Sequence, residues 1–131
     1  MIFGIGTDIL QVDRVASTYE RFGMHFVDRL LLPEEKRLFG SAKNAVRFLA
    51  MRFAAKEAIV KAMGTGFANG MWLRDSGVMP NRLGRPEIIF SRRGEDMCNQ
   101  LGIAGGHLTL TDEAGLVVAV AVLERTESRI D

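Results

Sequence analysis

The sequence predicts an α+β fold, a largely antiparallel sheet with one long helix packed on it. Three observations carry this. Two stretches, "SGVMPNRLGRPEIIF" and "HLTLTDEAGLVVAVAVLE", each hold two apolar runs around turn residues, the pattern of a hairpin. The stretch from about Asn44 to Met63 contains neither glycine nor proline and meets Gly64, a natural helix stop. Strands and helices are interspersed, but the strands pair mostly as neighbours rather than across helices, which favours α+β over a parallel α/β sheet. At 131 residues the chain is expected to form one domain, 1–131, large enough for a core and too small for a second one.

Along the chain, "IFGIG" reads as a short buried strand ending at Thr7-Asp8. Val12, Val15, Ala16, Tyr19, Phe22 and Phe26 recur at threes and fours, so residues 13 to about 26 are expected as one amphipathic helix with Arg14 and Arg21 on its wetter side. Pro33-Glu34-Glu35 has the makings of a first helical turn, with proline at the first position and acids facing the dipole, in a short helix to about Gly40. The long helix follows. Asn81-Arg82-Leu83-Gly84 is the turn of the first hairpin, "SRRGEDMCNQLG" a weaker helix interrupted by Gly94, and "TDEAG" the turn of the second hairpin. The polar tail after Arg125 is expected to fray.

Composition excludes several classes. With 25% charged and 47% hydrophobic residues the chain is ordinary globular material rather than disordered. One cysteine, Cys98, rules out an internal disulfide and suits a reducing compartment. "MIFGIGTDIL" has no basic leader and meets Asp8, so it reads as neither signal peptide nor membrane span, and a cytoplasmic protein is expected. The net charge is only +1, but it is unevenly spread. From Arg14 to Lys61 there are ten Lys/Arg against five Asp/Glu, and from Asp112 to Asp131 five acids against two arginines. A basic helical half suggests an anionic ligand or an acidic partner. Nucleic acid is not expected, since the aromatics do not interleave with the basic residues.

The helix "RFAAKEAIVKAMGTG" holds the chemistry. A helix turns about 100° per residue, so Glu57 and Lys61 lie about 40° apart on one face, with Ala50 and Ala54 along it and Arg47 close by. That is either an ordinary i,i+4 surface pair or a charged pair over a small-residue strip that a ligand can approach. Asp8, at the expected strand end, is either a turn cap or a ligand. Were Asp8 and Glu57 to converge, two hard oxygen donors would suit Mg²⁺, which takes one or two protein carboxylates plus phosphates, and Lys61 would be a point charge facing phosphate. Zinc has no ligand set with suitable spacing here. "GTG" at 64–66 follows a helix and lacks the rest of a phosphate loop, so it reads as a helix stop. Arg85, in the hairpin turn, is placed to reach an anion. His107 opens a strand and reads as structural on spacing alone; Cys98 and Trp72 read as packing residues.

Taken in order, "GIGTDIL", "VDRV…RFG", "RFAAKEAIVKAMGTG", "LGRPEI" and "HLTLTDE" resemble the holo-[acyl-carrier-protein] synthase class of 4′-phosphopantetheinyl transferases over essentially the whole chain. The resemblance implies transfer of the 4′-phosphopantetheine arm of coenzyme A to a serine of apo acyl carrier protein, with adenosine 3′,5′-bisphosphate leaving. It implies that Asp8 and Glu57 hold Mg²⁺ and, with Lys61, form the catalytic set. It further implies that Lys61, Gly64, Arg52, Arg85, Pro86, His107 and Thr109 surround the coenzyme A, and that Arg14, Arg21 and Phe22 meet the acidic helix of the carrier protein. It also implies a homotrimer with sites between subunits.

Departures from the family pattern are few. Leu32 stands where relatives carry a serine or threonine cap, a loss of roughly 1 kcal/mol to the short helix. Gly115-Leu116-Val117 lack an aromatic, and Thr111-Asp112 replace serine-histidine and are given no role. Two other readings compete: a Mg²⁺-dependent nucleotide diphosphate hydrolase using the same carboxylates and lysine, and a noncatalytic module binding acidic proteins. A hydrolase has no use for an arginine-studded first helix.

Overall fold

Two glycines decide how the molecule is assembled. The structure, a computed structural model, describes residues 1–127. In it a strand β1 (Ile2–Gln11) lies under a helix α4 (Ala45–Met63) so closely that a Cβ on Gly4 would stand 2.0 Å from the Ala62 carbonyl oxygen, and one on Gly6 2.0 Å from that of Ala58. Ala50, Ala54, Ala55 and Ala58 are fully buried. The alanine strip therefore serves helix-on-sheet packing and gives no open approach to a ligand. That overturns the sequence reading of a strip left clear for one: a wheel shows which side residues share, not what covers it.

The main sheet is antiparallel in the order β1-β5-β4, with β4 (Ile103–Glu113) and β5 (Leu116–Arg125) joined by a tight turn through Ala114 (φ 54°) and Gly115 (φ 77°). A second antiparallel pair, β2 (Ser76–Pro80) and β3 (Pro86–Phe90), is the expected first hairpin. Its turn is fixed by Asn81, whose Oδ1 accepts the Leu83 and Arg85 N–H groups at 2.9 and 3.0 Å. Asn44 caps the start of α4 by accepting the Arg47 N–H at 3.0 Å, and Gly64 ends it in the left-handed region at φ 80°. A last helix, α5 (Arg92–Leu101), begins on the Ser91 hydroxyl, which accepts the Gly94 N–H at 3.1 Å.

Three boundaries differ from the sequence reading. β1 runs on through Asp8 to Gln11 with alternating exposure, so Asp8 sits within a strand rather than at its end. β4 begins at Ile103, which leaves His107 in mid-strand instead of at its start. The first helix is two, α1 (Val12–Phe22) and α2 (Met24–Leu30), because Gly23 adopts φ 55° and breaks the run that its apolar spacing suggested. The short helix α3 (Pro33–Phe39) lies as expected, though Leu32 does not leave its start wholly uncapped: the Glu35 carboxylate accepts the Leu32 N–H at 3.0 Å. The expectation for the far end of the tail falls on residues 128–131, outside the described residues.

Candidate active site

Strand alternation points even-numbered β1 residues at α4. Gly4 and Gly6 meet it, and Asp8, next on that face, meets the side chains one turn further along. Lys61 Nζ lies 3.2 Å from Asp8 Oδ1 and donates to the Thr7 carbonyl at 3.0 Å. Glu57 and Asp8 line one cleft of about 370 Å³ together with Leu10, Arg14, Val15 and Phe53. The Glu57 carboxyl is held above its usual value, first by partial burial and then by the charge of Asp8, with Lys61 opposing. Two carboxylates that line one cleft, one of them raised in part by the other's charge, make a place that favours a cation. The donor chemistry fits Mg²⁺: both ligating groups are hard oxygens, and the described residues hold no group of three or more His, Cys, Asp or Glu that would complete a cage without water or phosphate.

The remaining expected site residues fall in two other places. Arg52 lies about 140° around α4 from Glu57. Its guanidinium stacks 3.9 Å over the Phe48 ring, donates to the Val78 carbonyl at 3.2 Å and stands 3.6 Å from Glu35 Oε2. With Pro86 it lines a separate cleft of about 550 Å³, whose wall holds Lys43, Arg47 and Arg52, an apolar floor including Phe48, Met51 and Leu110, and no carboxylate. Arg85 is exposed next to Pro86. His107 and Thr109 stand on the far face of the sheet, in register with Val122 and Val120 and, across those, with Ile5 and Thr7. His107 Nε2 is 2.7 Å from Glu124 Oε1. Gly64 lies at the end of α4 that carries Lys61, and its left-handed backbone by itself accounts for a glycine there. The chain thus brings together Asp8, Glu57 and Lys61, but places His107 and Thr109 on the opposite face of the sheet from Asp8.

Along the first helices, Arg14 lines the Asp8–Glu57 cleft. Arg21 stacks 5.2 Å from the Phe22 ring, which is exposed beside exposed Met24. In the sequence Lys43 counts only as part of a basic half, and Arg47 as a neighbour of the Glu57–Lys61 face rather than of a separate cleft. No helical spacing marks them: Lys43 precedes α4, and Arg47 and Arg52 lie about 140° apart around it, yet the cleft gathers all three on one wall. Lys56, next to Glu57, is no part of either cleft: it is fully buried, and its ammonium donates to Glu35 Oε1 at 2.8 Å and to the carbonyls of Leu30, Leu73 and Ser76 at 2.5, 2.9 and 2.7 Å.

The comparisons agree with one another. The chain is 41% identical over 125 residues to a holo-[acyl-carrier-protein] synthase of Vibrio cholerae serotype O1, covering 95% of this chain and 99% of that one. Its fold superposes on the crystal structure of a holo-[acyl-carrier-protein] synthase from Neisseria meningitidis with a TM-score of 0.91 at 39% identity, over 95% of this chain and 100% of that one. It superposes on the Helicobacter pylori holo-[acyl-carrier-protein] synthase in complex with coenzyme A at 0.81 and 28% identity, over 92% and 99% of the two chains. The model of the 4′-phosphopantetheinyl transferase superfamily matches residues 4–121. A match that takes in β1, α4 and both long strands, at nearly full length on both sides, settles the kinship: this chain belongs to the 4′-phosphopantetheinyl transferase superfamily, among its holo-[acyl-carrier-protein] synthases.

Proposed function

We propose that the protein transfers the 4′-phosphopantetheine group of coenzyme A to a serine of apo acyl carrier protein, and that Asp8, Glu57 and Lys61 carry the reaction. The observation that supports this most directly is the meeting of Asp8 and Glu57, from β1 and α4, in one cleft beside Lys61. The serine oxygen forms a bond to the phosphorus bearing pantetheine. The bond from that phosphorus to the bridging oxygen breaks, the serine proton is lost, and adenosine 3′,5′-bisphosphate departs. Asp8 and Glu57 would hold Mg²⁺, which when bound would supply neutralisation of the diphosphate charge. Lys61 places an ammonium beside the same phosphates and offsets charge growing on the departing one. Phe53, Leu10 and Val15 wall the cleft beside its charged groups.

The cationic second cleft supports a place for the nucleotide end. It offers arginine and lysine to a phosphate and an apolar floor to a base, with Arg52 and Pro86 in its lining and Arg85 in the chain between the lining residues Gly84 and Pro86. His107 and Thr109 are assigned to the same ligand, which requires more than one copy of the chain. A homotrimer with sites between subunits meets that requirement. The far sheet face supports assembly: Ile5 and Ile9 are 59% and 65% exposed there, flanked by the half-buried Val118, Val120 and Val122. Arg14, Arg21 and Phe22 are assigned to the acidic carrier protein, docked beside the Asp8–Glu57 cleft. The described residues include no helix long and apolar enough to cross a membrane, and we place the enzyme in the cytoplasm, where its substrates are.

The test is the intact mass of an apo acyl carrier protein incubated with this protein, coenzyme A and Mg²⁺, with an EDTA control. The expected result is a gain of one phosphopantetheinyl group, lost with EDTA and lost in Asp8→Ala and Glu57→Ala proteins that remain folded by circular dichroism. Full activity in either variant would remove the metal assignment. Unmodified carrier with coenzyme A split in two would indicate hydrolysis instead.

A further inference from the structure

The pairing of Arg47 with Asp112 is unexplained by the reaction as described. Arg47, in the first turn of α4, donates from Nε to Asp112 Oδ2 at 2.8 Å and from Nη2 to Asp112 Oδ1 at 2.9 Å. This is the two-pronged geometry in which a guanidinium loses most of its freedom to turn. Arg47 lines the cationic cleft, whereas Asp112, near the end of β4, does not. The carboxylate therefore grips the arginine from outside the wall. Two of the five guanidinium N–H groups are engaged and the Nη1 edge remains free. Hydrogen bonding holds the Asp112 carboxyl below its usual range and Arg47 above its own, so both partners stay charged.

Among the cations of that wall, Arg52 is already engaged with Glu35 and the Val78 carbonyl. Arg47 and Lys43 are the exposed cations of that wall, whereas Arg52 is half-buried beside Glu35. Coenzyme A carries two anionic groups, a diphosphate and a phosphate monoester on the ribose 3′ oxygen. On the proposed reaction the diphosphate goes to Asp8, Glu57 and Lys61, which leaves the monoester for the second cluster. We propose that Asp112 is a positioning residue that aims Arg47 at the ribose 3′-phosphate, and that the pair sets the preference for coenzyme A over its 3′-dephospho form. This rests on the reading that the nucleotide end occupies the cationic cleft. Asp112 touches no reacting atom and acts only through Arg47.

The experiment measures kcat and KM with coenzyme A and with 3′-dephospho-coenzyme A for the parent, Asp112→Ala, Asp112→Asn and Arg47→Ala. In Asp112→Ala the KM for coenzyme A is expected to rise about tenfold, with kcat and the KM for the dephospho form within about twofold of the parent. Asp112→Asn, which keeps one oxygen acceptor, should fall between. Arg47→Ala should lose the same discrimination, and adding Asp112→Ala to it should change nothing more. Equal changes with both substrates would mark a merely structural pair and overturn the proposal. So would no change, or tighter binding of coenzyme A once the carboxylate is gone. Lys43→Ala and Arg52→Ala separate the two layers of the argument. If neither alters KM for coenzyme A, the cleft does not hold the nucleotide and both readings fall; if either does while Asp112→Ala is silent, only the positioning role falls.

Discussion

Lys56 Nζ stands 2.8 Å from Glu35 Oε1, and neither side chain has any exposed surface. The ammonium also meets carbonyls at the end of α2, in the turn before β2 and at the start of β2, so one lysine ties three segments to α4. Glu35 in turn accepts the N–H groups of Leu32 and Val78. Burial pushes the Lys56 ammonium below its usual range while Glu35 opposes that shift. Taking away one member strands the other in an apolar surround. Lys56→Met is expected to cost about 3–5 kcal/mol in urea unfolding, and pairing it with Glu35→Gln should recover part of the loss. A loss below about 1 kcal/mol would mean the pair is not what holds these segments.

Glu57 leads to a prediction with a definite sign. Its carboxyl is raised above its ordinary 4.5, so the folded chain keeps that proton longer than the unfolded chain does. Between 4.5 and the raised value, stability therefore falls as pH rises, and the penalty persists at neutral pH. Glu57 is only partly buried, so solvent screening keeps the effect to within about 1 kcal/mol. Metal-free Glu57→Gln should melt at or a few degrees above the parent at neutral pH while losing transfer activity. A melting point well below the parent would show that the carboxylate is stabilising without metal.

Docking of the carrier is expected to depend on charge. Arg14 borders the Asp8–Glu57 cleft, and Arg14→Glu sets a like charge against an acidic helix. The KM for the carrier protein should rise about tenfold, with the KM for coenzyme A unchanged. A parallel rise in both would place Arg14 on the nucleotide instead.

Assembly can be read by complementation. Asp8 and His107 lie on opposite faces of the same sheet, so a site using both draws them from different copies. Asp8→Ala and His107→Ala proteins, each impaired, should regain about a quarter of parental activity when unfolded together in equal amounts and refolded, as expected for random exchange in a closed ring. Absence of any recovery would confine the site to one copy. Ile9→Glu, on the exposed apolar face, should lower the mass measured by light scattering.

What was legible in the sequence follows a physical division. The antiparallel hairpins, the capped α4 and its Gly64 stop are written locally, in turn residues and uninterrupted helix formers, and they stand where expected. The break at Gly23 was also local, but six apolar residues in helical register outweighed one glycine. The extent of β1 was not local: residues 7–11 hold their strand because β5 pairs with them through Gln11. Lys56 directly precedes Glu57, yet one position on a helix turns about 100°, and its ammonium reaches Glu35 instead. No spacing rule links residues 35 and 56. The Arg47–Asp112 pair joins residues more remote still, 65 apart in the chain against 21, and Asp112 carried no motif of its own.

The seating of α4 on Gly4 and Gly6 bears on how such an enzyme can be altered. The gap between β1 and the helix sets where Asp8 stands relative to Glu57 and Lys61, and the residues setting that gap have no functional groups. Exchanging reactive side chains one at a time would pass over the positions that control the site's dimensions. A methyl group at residue 6 would collide with the Ala58 carbonyl, lifting the helix and opening the carboxylate pair, so active-site spacing is adjustable from beneath. In a library built on this scaffold, the smallest residues are the dial for the spacing of Asp8, Glu57 and Lys61, and on the proposed reaction for which cation and which diphosphate fit.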